Sequence, residues 1–299
     1  MATSKSKAVQ KKPEAKKSET PKRNLLKRFL SAIILLPLVL GVVYLGYPVF
    51  TFFLIILSAL MAYEWEQMTN SGKTTKVALM LTVWLSFISI IWLSWMFMVA
   101  VNPYSAWSVT SAVIGIQAIL MAMPIFFFAA AKKAGYAHPK LLLFGCYYMA
   151  VPMLLMPFLG TMHLFCVLAI VWLTDIGGWL FGKTIGGKKI FPKTSPGKTW
   201  AGSIGGVILA LAGASYFAVR FPEYAVYILG SVALLSIAAQ AGDYMESKVK
   251  RKLGIKDSGN LIPGHGGIFD RIDSLLFAIP VAVVILLALS SFISLPGAE

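Results

Sequence analysis

Asp243 and Glu246 stand three residues apart, and Asp243 and Ser247 stand four apart. On a helix all three share one face. Asp270 and Asp273 repeat the three-residue spacing at the start of a later apolar run. Two helix ends on one side of a membrane can therefore each present carboxylates to one point. Lys250, Arg251 and Arg271 lie among them. Carboxylates converging beside cations suit a divalent cation that carries a polyphosphate, since Mg²⁺ takes one or two carboxylates and fills its other sites with phosphate oxygens and water. Between the two acid pairs runs Pro263-Gly264-His265-Gly266-Gly267. Its glycines permit unusual backbone angles and close approach of a ligand. His265 either contacts a phosphate or a carboxylate or only stabilises its own loop; the spacing does not decide.

Asp175 is the acid that costs most to place. It lies inside an apolar stretch, just before Gly177 and Gly178. An acid embedded in a membrane costs roughly 3 kcal/mol on insertion scales and marks a functional site by default. The ordinary alternative is an interfacial Asp beside glycines that let two helices pack closely. Asp175 leads into a basic loop, Lys183 to Lys198, which holds five lysines and no acid. Ser195, Lys198 and Thr199 then precede Gly202, Gly205 and Gly206 at a helix start. Backbone amides at such a start, with lysines alongside, form an anion site. It is no P-loop, because the G-x-x-x-x-G-K-[ST] spacing is missing. Taken singly, each residue has a plain explanation as a cap, a turn or a topology signal. Their co-occurrence is harder to explain that way.

The elements that must position these residues are membrane spans. Of the 299 residues 58% are hydrophobic and only 13% charged, about half the charged share of an ordinary soluble domain. Apolar runs of roughly 20 residues read as transmembrane helices. Nine are expected, near 29–46, 48–67, 77–100, 106–131, 141–159, 161–181, 203–220, 224–241 and 274–295. The fold class is thus all-α, a polytopic membrane helix bundle. Pro152 and Pro157 predict a kink or break in the fifth span. Residues 1–28 are Lys-rich and nearly free of large apolar side chains, so a disordered cytoplasmic tail is expected, with residues 29–299 as the membrane-embedded catalytic domain. The leader is too long, and lacks the cleavage site, for a removable signal peptide.

The net charge of +15 borders apolar spans, which points to orientation and anionic lipid headgroups. The lysines lack the interleaved aromatics that nucleic-acid binding would use. Lysines and arginines fall in the tail and after the second, fourth, sixth and eighth spans, and only Arg220 lies on the other side. That alternation predicts a cytoplasmic N-terminus and an active site on the cytoplasmic face of the inner membrane. Cys146 and Cys166 lie in apolar stretches without metal-ligand spacing, and His138 and His163 look incidental. A secondary transporter would carry acids near mid-bilayer on spans from both halves, whereas every Asp here lies in the second half.

The run from Ser247 to Asp273, SKVKRKLGIKDSGNLIPGHGGIFDRID, resembles the signature of phosphatidate cytidylyltransferases. Ser247, Lys250-Arg251, Lys256-Asp257, Gly259, Ile262-Pro263, His265-Gly266-Gly267 and Asp270-Arg271-x-Asp273 all fall in register with it. The blocks around Asp175-Ile-Gly-Gly and Ser195-Pro-x-Lys198-Thr199-Trp200 fit as well. Two positions depart: Gly197 stands where the family commonly has Lys, and Ala201 where it has Glu. The resemblance implies transfer of CMP from CTP to phosphatidic acid, giving CDP-diacylglycerol and pyrophosphate. It implies Mg²⁺, with K⁺ as a companion, held at Asp243 and Asp270 and supported by Asp273 or Asp175. Lys198, Lys250, Arg251 and Arg271 would neutralise phosphates. Ser195, Thr199, Ser247, Lys256, Asp257, Gly264, Gly266 and Gly267 would line the substrate site, with His265 among the catalytic candidates. The expected partners are CTP, phosphatidic acid and the bilayer, with a homodimer left open. A CDP-alcohol phosphotransferase would show D-G-x-x-A-R…G-x-x-x-D-x-x-x-D, which this chain lacks.

Overall fold

A computed structural model describes residues 21–69, 106–136, 138–262 and 266–293, with scattered positions between 81 and 95. The described residues form eight helices. These are α1 (Pro21–Leu45), α2 (Val49–Thr69), α3 (Ala106–Lys133), α4 (Pro139–Leu155), α5 (Thr161–Thr184), α6 (Trp200–Arg220), α7 (Ala225–Lys252) and α8 (Phe269–Ile293). Six described segments are long and apolar enough to cross a membrane: Val49–Thr69, Thr110–Lys133, Thr161–Thr184, Trp200–Arg220, Pro222–Lys252 and Phe269–Ser290. Ile33–Leu45 and Pro139–Leu155 are shorter apolar helices. Most of the expected third span lies outside the described residues, but its described positions are helical. Trp84 there donates to Leu120 O at 2.9 Å, and Gln117 donates to Ile88 O at 3.2 Å, so this stretch packs on α3.

Several boundaries move from those expected. α1 starts at Pro21 rather than residue 29; a proline is favoured in the first helical turn, where its missing N–H costs nothing. Residues 1–20 of the expected tail lie outside the described residues. The fifth expected span, 141–159, stops earlier: α4 ends at Leu155 and a 3₁₀ turn, Met156–Phe158, carries Pro157, so the expected break falls there, whereas Pro152 lies inside the helix. α7 runs well past residue 241 to Lys252. The segment 243–252 has lost its apolar character but keeps good helix formers such as Met245, Glu246, Lys248 and Lys250. The all-α expectation needs one addition. The basic loop folds into an antiparallel hairpin of β1 (Lys189–Phe191) and β2 (Ser195–Thr199), with Lys189 opposite Thr199 and Phe191 opposite Ser195.

Two close helix crossings organise the second half. At the α5–α6 crossing, a Cβ on Gly177 would stand 2.6 Å from Gly205 O, and one on Gly206 would stand 2.7 Å from Thr174 O. Backbones that approach this closely are how membrane helices gain packing without a hydrophobic driving force. At the α7–α8 crossing, a Cβ on Gly242 would stand 2.5 Å from Asp273 O. Polar side chains join the same helices: Thr174 donates to Ser236 Oγ at 2.8 Å, and Ser203 bonds Gln240. Beneath the end where α5, α6, α7 and α8 meet lies an aromatic cluster. Trp65 and Phe269 rings are 5.3 Å apart, Phe144 and Tyr148 are 5.2 Å apart, and Tyr148 and Phe269 are 5.7 Å apart. Trp65 and Phe269 are fully buried, so this cluster ties α2, α4 and α8 together below the polar end.

Candidate active site

The hairpin brings Lys198 across to α7, where its ammonium pairs with the Asp243 carboxylate. Their side chains are 29% and 31% exposed, open enough to exchange partners with a solute. Ser247, one turn on, donates to Asp243 Oδ1 at 3.4 Å. Asp175 lies within electrostatic reach of Asp243, Lys198 and Arg271, so α5, α7, β2 and the start of α8 all contribute charge to one spot. Asp273 faces both Asp243 and Glu246 and is buried.

One turn further along α7, Lys250 bridges two acids. Its Nζ is 2.8 Å from Glu246 Oε2 and 2.6 Å from Asp270 Oδ1. Asp270 is more enclosed than Asp243, with a side chain 8% exposed. It accepts from Ser258 N at 3.0 Å and from Gly267 N at 2.9 Å, besides Lys250. A carboxylate offers about four lone-pair directions, so Asp270 is largely engaged. The second oxygen of Glu246, Oε1, is buried and has no hydrogen-bond partner among the described residues. Acids from two helices thus converge as the spacing predicted, and a lysine attends each of Asp243 and Asp270.

Of the other expected site residues, Arg251 and Thr199 make bonds that hold neighbouring elements in place. Arg251 donates from Nε to Thr194 O at 3.0 Å and from NH1 to Ile255 O at 3.1 Å. It therefore braces the hairpin against α7, beside the stacked rings of Phe191 and Tyr244, whose centroids are 3.8 Å apart. Thr199 is buried and caps α6, accepting from Gly202 N at 3.0 Å. Ser195 sits in β2 opposite Phe191. Gly266 has φ +83°, and a Cβ there would stand 2.8 Å from Asp270 Oδ2. Lys256, Asp257 and Arg271 are exposed. Gly264 and His265, with Pro263, lie outside the described residues.

Sequence reasoning passed over Glu64. It lies on α2 and is completely buried. It accepts from Ser258 Oγ at 3.0 Å, Ile268 N at 2.8 Å and Phe269 N at 2.9 Å. The signal was present, because an acid inside the 48–67 apolar run meets the same criterion that singled out Asp175.

A fit for a divalent cation can be judged from the donors. Among the described residues no three acid, His or Cys side chains close on one point. Mg²⁺ bound with a nucleotide needs fewer, since phosphates and waters complete its shell. The two candidate carboxylates each hold an ammonium ion, which marks both as places where positive charge is already accommodated. Asp243, the more open of the two, could offer an oxygen to a cation that arrives with its own phosphate ligands, whereas Asp270 would do so only by sharing or releasing Lys250.

Comparison with known proteins agrees with this chemistry. A family model described as the Cytidylyltransferase family matches residues 26–289. The phosphatidate cytidylyltransferase of Brucella suis biovar 1 (strain 1330) is 35% identical over 262 residues, covering 85% of this chain and 90% of that protein. That of Bacillus subtilis (strain 168) is 42% identical over 134 residues, 44% of this chain and 49% of that protein. That of Staphylococcus aureus (strain COL) is 43% identical over 130 residues, 43% of this chain and 50% of that protein. With most of its length matched, the chain belongs to the cytidylyltransferase family.

Proposed function

We infer that the chain does what its relatives are named for: it is a phosphatidate cytidylyltransferase of phospholipid biosynthesis. A phosphate oxygen of phosphatidic acid attacks the α-phosphorus of CTP, the α–β bridging P–O bond breaks, and pyrophosphate leaves with CDP-diacylglycerol as the other product. The observation that carries this reading is similarity to a named phosphatidate cytidylyltransferase across 85% of the chain. The site geometry supports it: a cation-rich, acid-lined spot at one end of a membrane bundle meets a water-soluble nucleotide and a lipid headgroup together.

Each role follows from placement. Lys198, Lys250 and Arg271 stand among the acids and neutralise phosphates of the two anionic substrates. Fixed cations facing charge that builds on leaving oxygens lower the barrier without reorganising. Asp243 and Asp270 are the proposed Mg²⁺ carboxylates, with Asp175 and Asp273 as their supporting acids; the ion, when bound, supplies Lewis-acid polarisation of phosphoryl oxygens. Because Lys198 and Lys250 already touch these carboxylates, cationic side chains and the ion share one wall. Arg251 and Thr199 hold the hairpin and the start of α6 so that Lys198 stays aimed at Asp243.

Nine spans with a cytoplasmic N-terminus complete the proposal. The lysine-rich loops then share one side, the site ends of α5 to α8 face the cytoplasm, and CTP reaches them without crossing lipid. The decisive experiment uses purified protein with phosphatidic acid and Mg²⁺. CTP labelled at the α-phosphorus should pass its label into an organic-soluble product. CTP labelled at the γ-phosphorus should leave its label in aqueous pyrophosphate. Failure of the α-label to enter lipid sinks the reading.

A further inference from the structure

We propose that Glu64 is a positioning residue for the reaction: a carboxylate from the amino-terminal half that sets the start of α8 and the loop before it, and through them the Asp270–Lys250 pair. The proposal rests on the cytidylyl transfer assigned above. Glu64 belongs to α2, roughly two hundred residues from its partners in sequence, and is completely buried. Its three hydrogen bonds all go to the segment that surrounds the acids. Two come from amides at the start of α8, Ile268 N just before it and Phe269 N at its first residue, and the third from Ser258 Oγ. Backbone amides at a helix start have no partner within the helix, and a negative group there is favoured by the helix dipole. Glu64 therefore acts as the cap of α8, delivered from another helix instead of from the chain just before it.

The same carboxylate explains two signature glycines. A Cβ on Gly259 would stand 2.7 Å from Glu64 Oε1, and one on Gly267 would stand 2.5 Å from Glu64 Oε2. At Gly259 the nearest neighbour is Glu64, and at Gly267 it is the Ser258 hydroxyl with Glu64 just behind, so the backbone at both positions packs directly against the hydrogen-bonded Glu64–Ser258 pair. Ser258 links the two layers. Its hydroxyl donates to Glu64, while its amide donates to Asp270 Oδ2 at 3.0 Å. Gly267 N donates to the same oxygen at 2.9 Å. Asp270 is thus oriented by two amides whose own positions Glu64 fixes. Lys250, which touches Asp270 and Glu246, depends on that orientation in turn. Among the described residues no hydrogen bond or ion pair joins Glu64 to Lys198 or Asp243 on the open side of the site, so it acts through the residues it holds.

The test compares wild-type enzyme with Glu64→Gln and Ser258→Ala, purified in detergent. It measures kcat, the KM for CTP and for phosphatidic acid, and the thermal unfolding midpoint. Gln keeps the shape of Glu64 but turns one acceptor into a donor facing donors. Glu64→Gln should lower kcat at least tenfold per folded molecule, with the KM for phosphatidic acid within twofold of wild type. Ser258→Ala, which removes one tie and leaves the cap, should lower kcat about threefold. A kcat per folded molecule within twofold of wild type in Glu64→Gln would overturn the proposal, because a merely structural acid changes the yield of folded enzyme and not its turnover. Should Glu64→Gln fail to fold, Ser258→Ala decides alone: a kcat reduced threefold or more supports the positioning role, and a smaller change refutes it. Inactivity of the wild-type protein in the same assay would instead strike the reaction itself.

Discussion

Gly242→Ala tests whether the α7–α8 crossing sets the geometry of the acids. The added Cβ would stand 2.5 Å from Asp273 O, 3.0 Å from Phe277 Cβ and 3.2 Å from Ser274 Cα. Carbon rarely approaches a carbonyl oxygen closer than about 3.3 Å, so the helices must part by about 0.8 Å at this level. The obstacle is backbone and cannot swing aside. Overpacking of this kind costs about 1–3 kcal/mol. The displacement falls on Asp243, the next residue, and on Asp273, directly opposite. A misplacement near 1 Å can cost about 100-fold in rate, so kcat should fall about 10- to 100-fold, with a lower unfolding midpoint in detergent. Gly230→Ala, on the same helix, is the internal control. Nothing lies within 4 Å of a Cβ there, and replacing a mid-helix glycine by alanine gains up to about 1 kcal/mol. It should keep wild-type turnover and unfold no more easily. Turnover of Gly242→Ala within twofold of wild type in the α-label transfer assay would refute the reasoning, since the crossing would then not fix the acids.

Asp243→Asn and Asp270→Asn should each abolish label transfer to lipid while the protein still inserts and purifies; near-normal turnover in either would discard the proposed Mg²⁺ carboxylates. Lys198→Ala should raise the KM for CTP about tenfold, the loss of a charge-assisted contact of about 1.5 kcal/mol, and an unchanged KM would remove the phosphate contact. Deleting residues 2–20 should leave specific activity intact in the purified enzyme; a loss with normal insertion would assign the basic segment a role in the chemistry.

What the sequence made legible is local. Apolar runs gave the spans, because hydrophobicity is carried by each residue and needs no partner. The Asp243–Ser247 pairing followed from helical spacing alone, and those side chains do meet. The break at Pro157 followed from the chemistry of proline. The length of α7 was not legible from apolar pattern, since its last turns are polar and keep helix through propensity and through the contacts of Glu246, Lys250 and Arg251. Least legible were pairings between distant residues. Lys198 with Asp243 and Glu64 with Phe269 are set by how helices cross, and no spacing rule reaches across a fold.

The same distinction sorts the signature residues by the work they do. Gly266 and Gly267 look in sequence like part of a loop that lets a ligand approach the backbone, and in the structure their close neighbours are side chains of the protein itself, Asp270 at Gly266 and Ser258 with Glu64 at Gly267. Thr199, expected to line the substrate site, and Arg251, expected to neutralise phosphate, also hold a helix start and a hairpin. That leaves Lys198, Asp243, Asp175 and Arg271 on the open side, with the proposed Asp270–Lys250 pair set deeper, backed by a larger set that fixes them. A site that must bind two highly charged substrates gains by such a division. Cations free to wander would collapse onto the acids or onto lipid headgroups, whereas cations held by a rigid frame keep their charge aimed at the transferring phosphorus. A short signature dense in glycine and charge is therefore what a framed site requires when the frame must be built from helix ends and one hairpin.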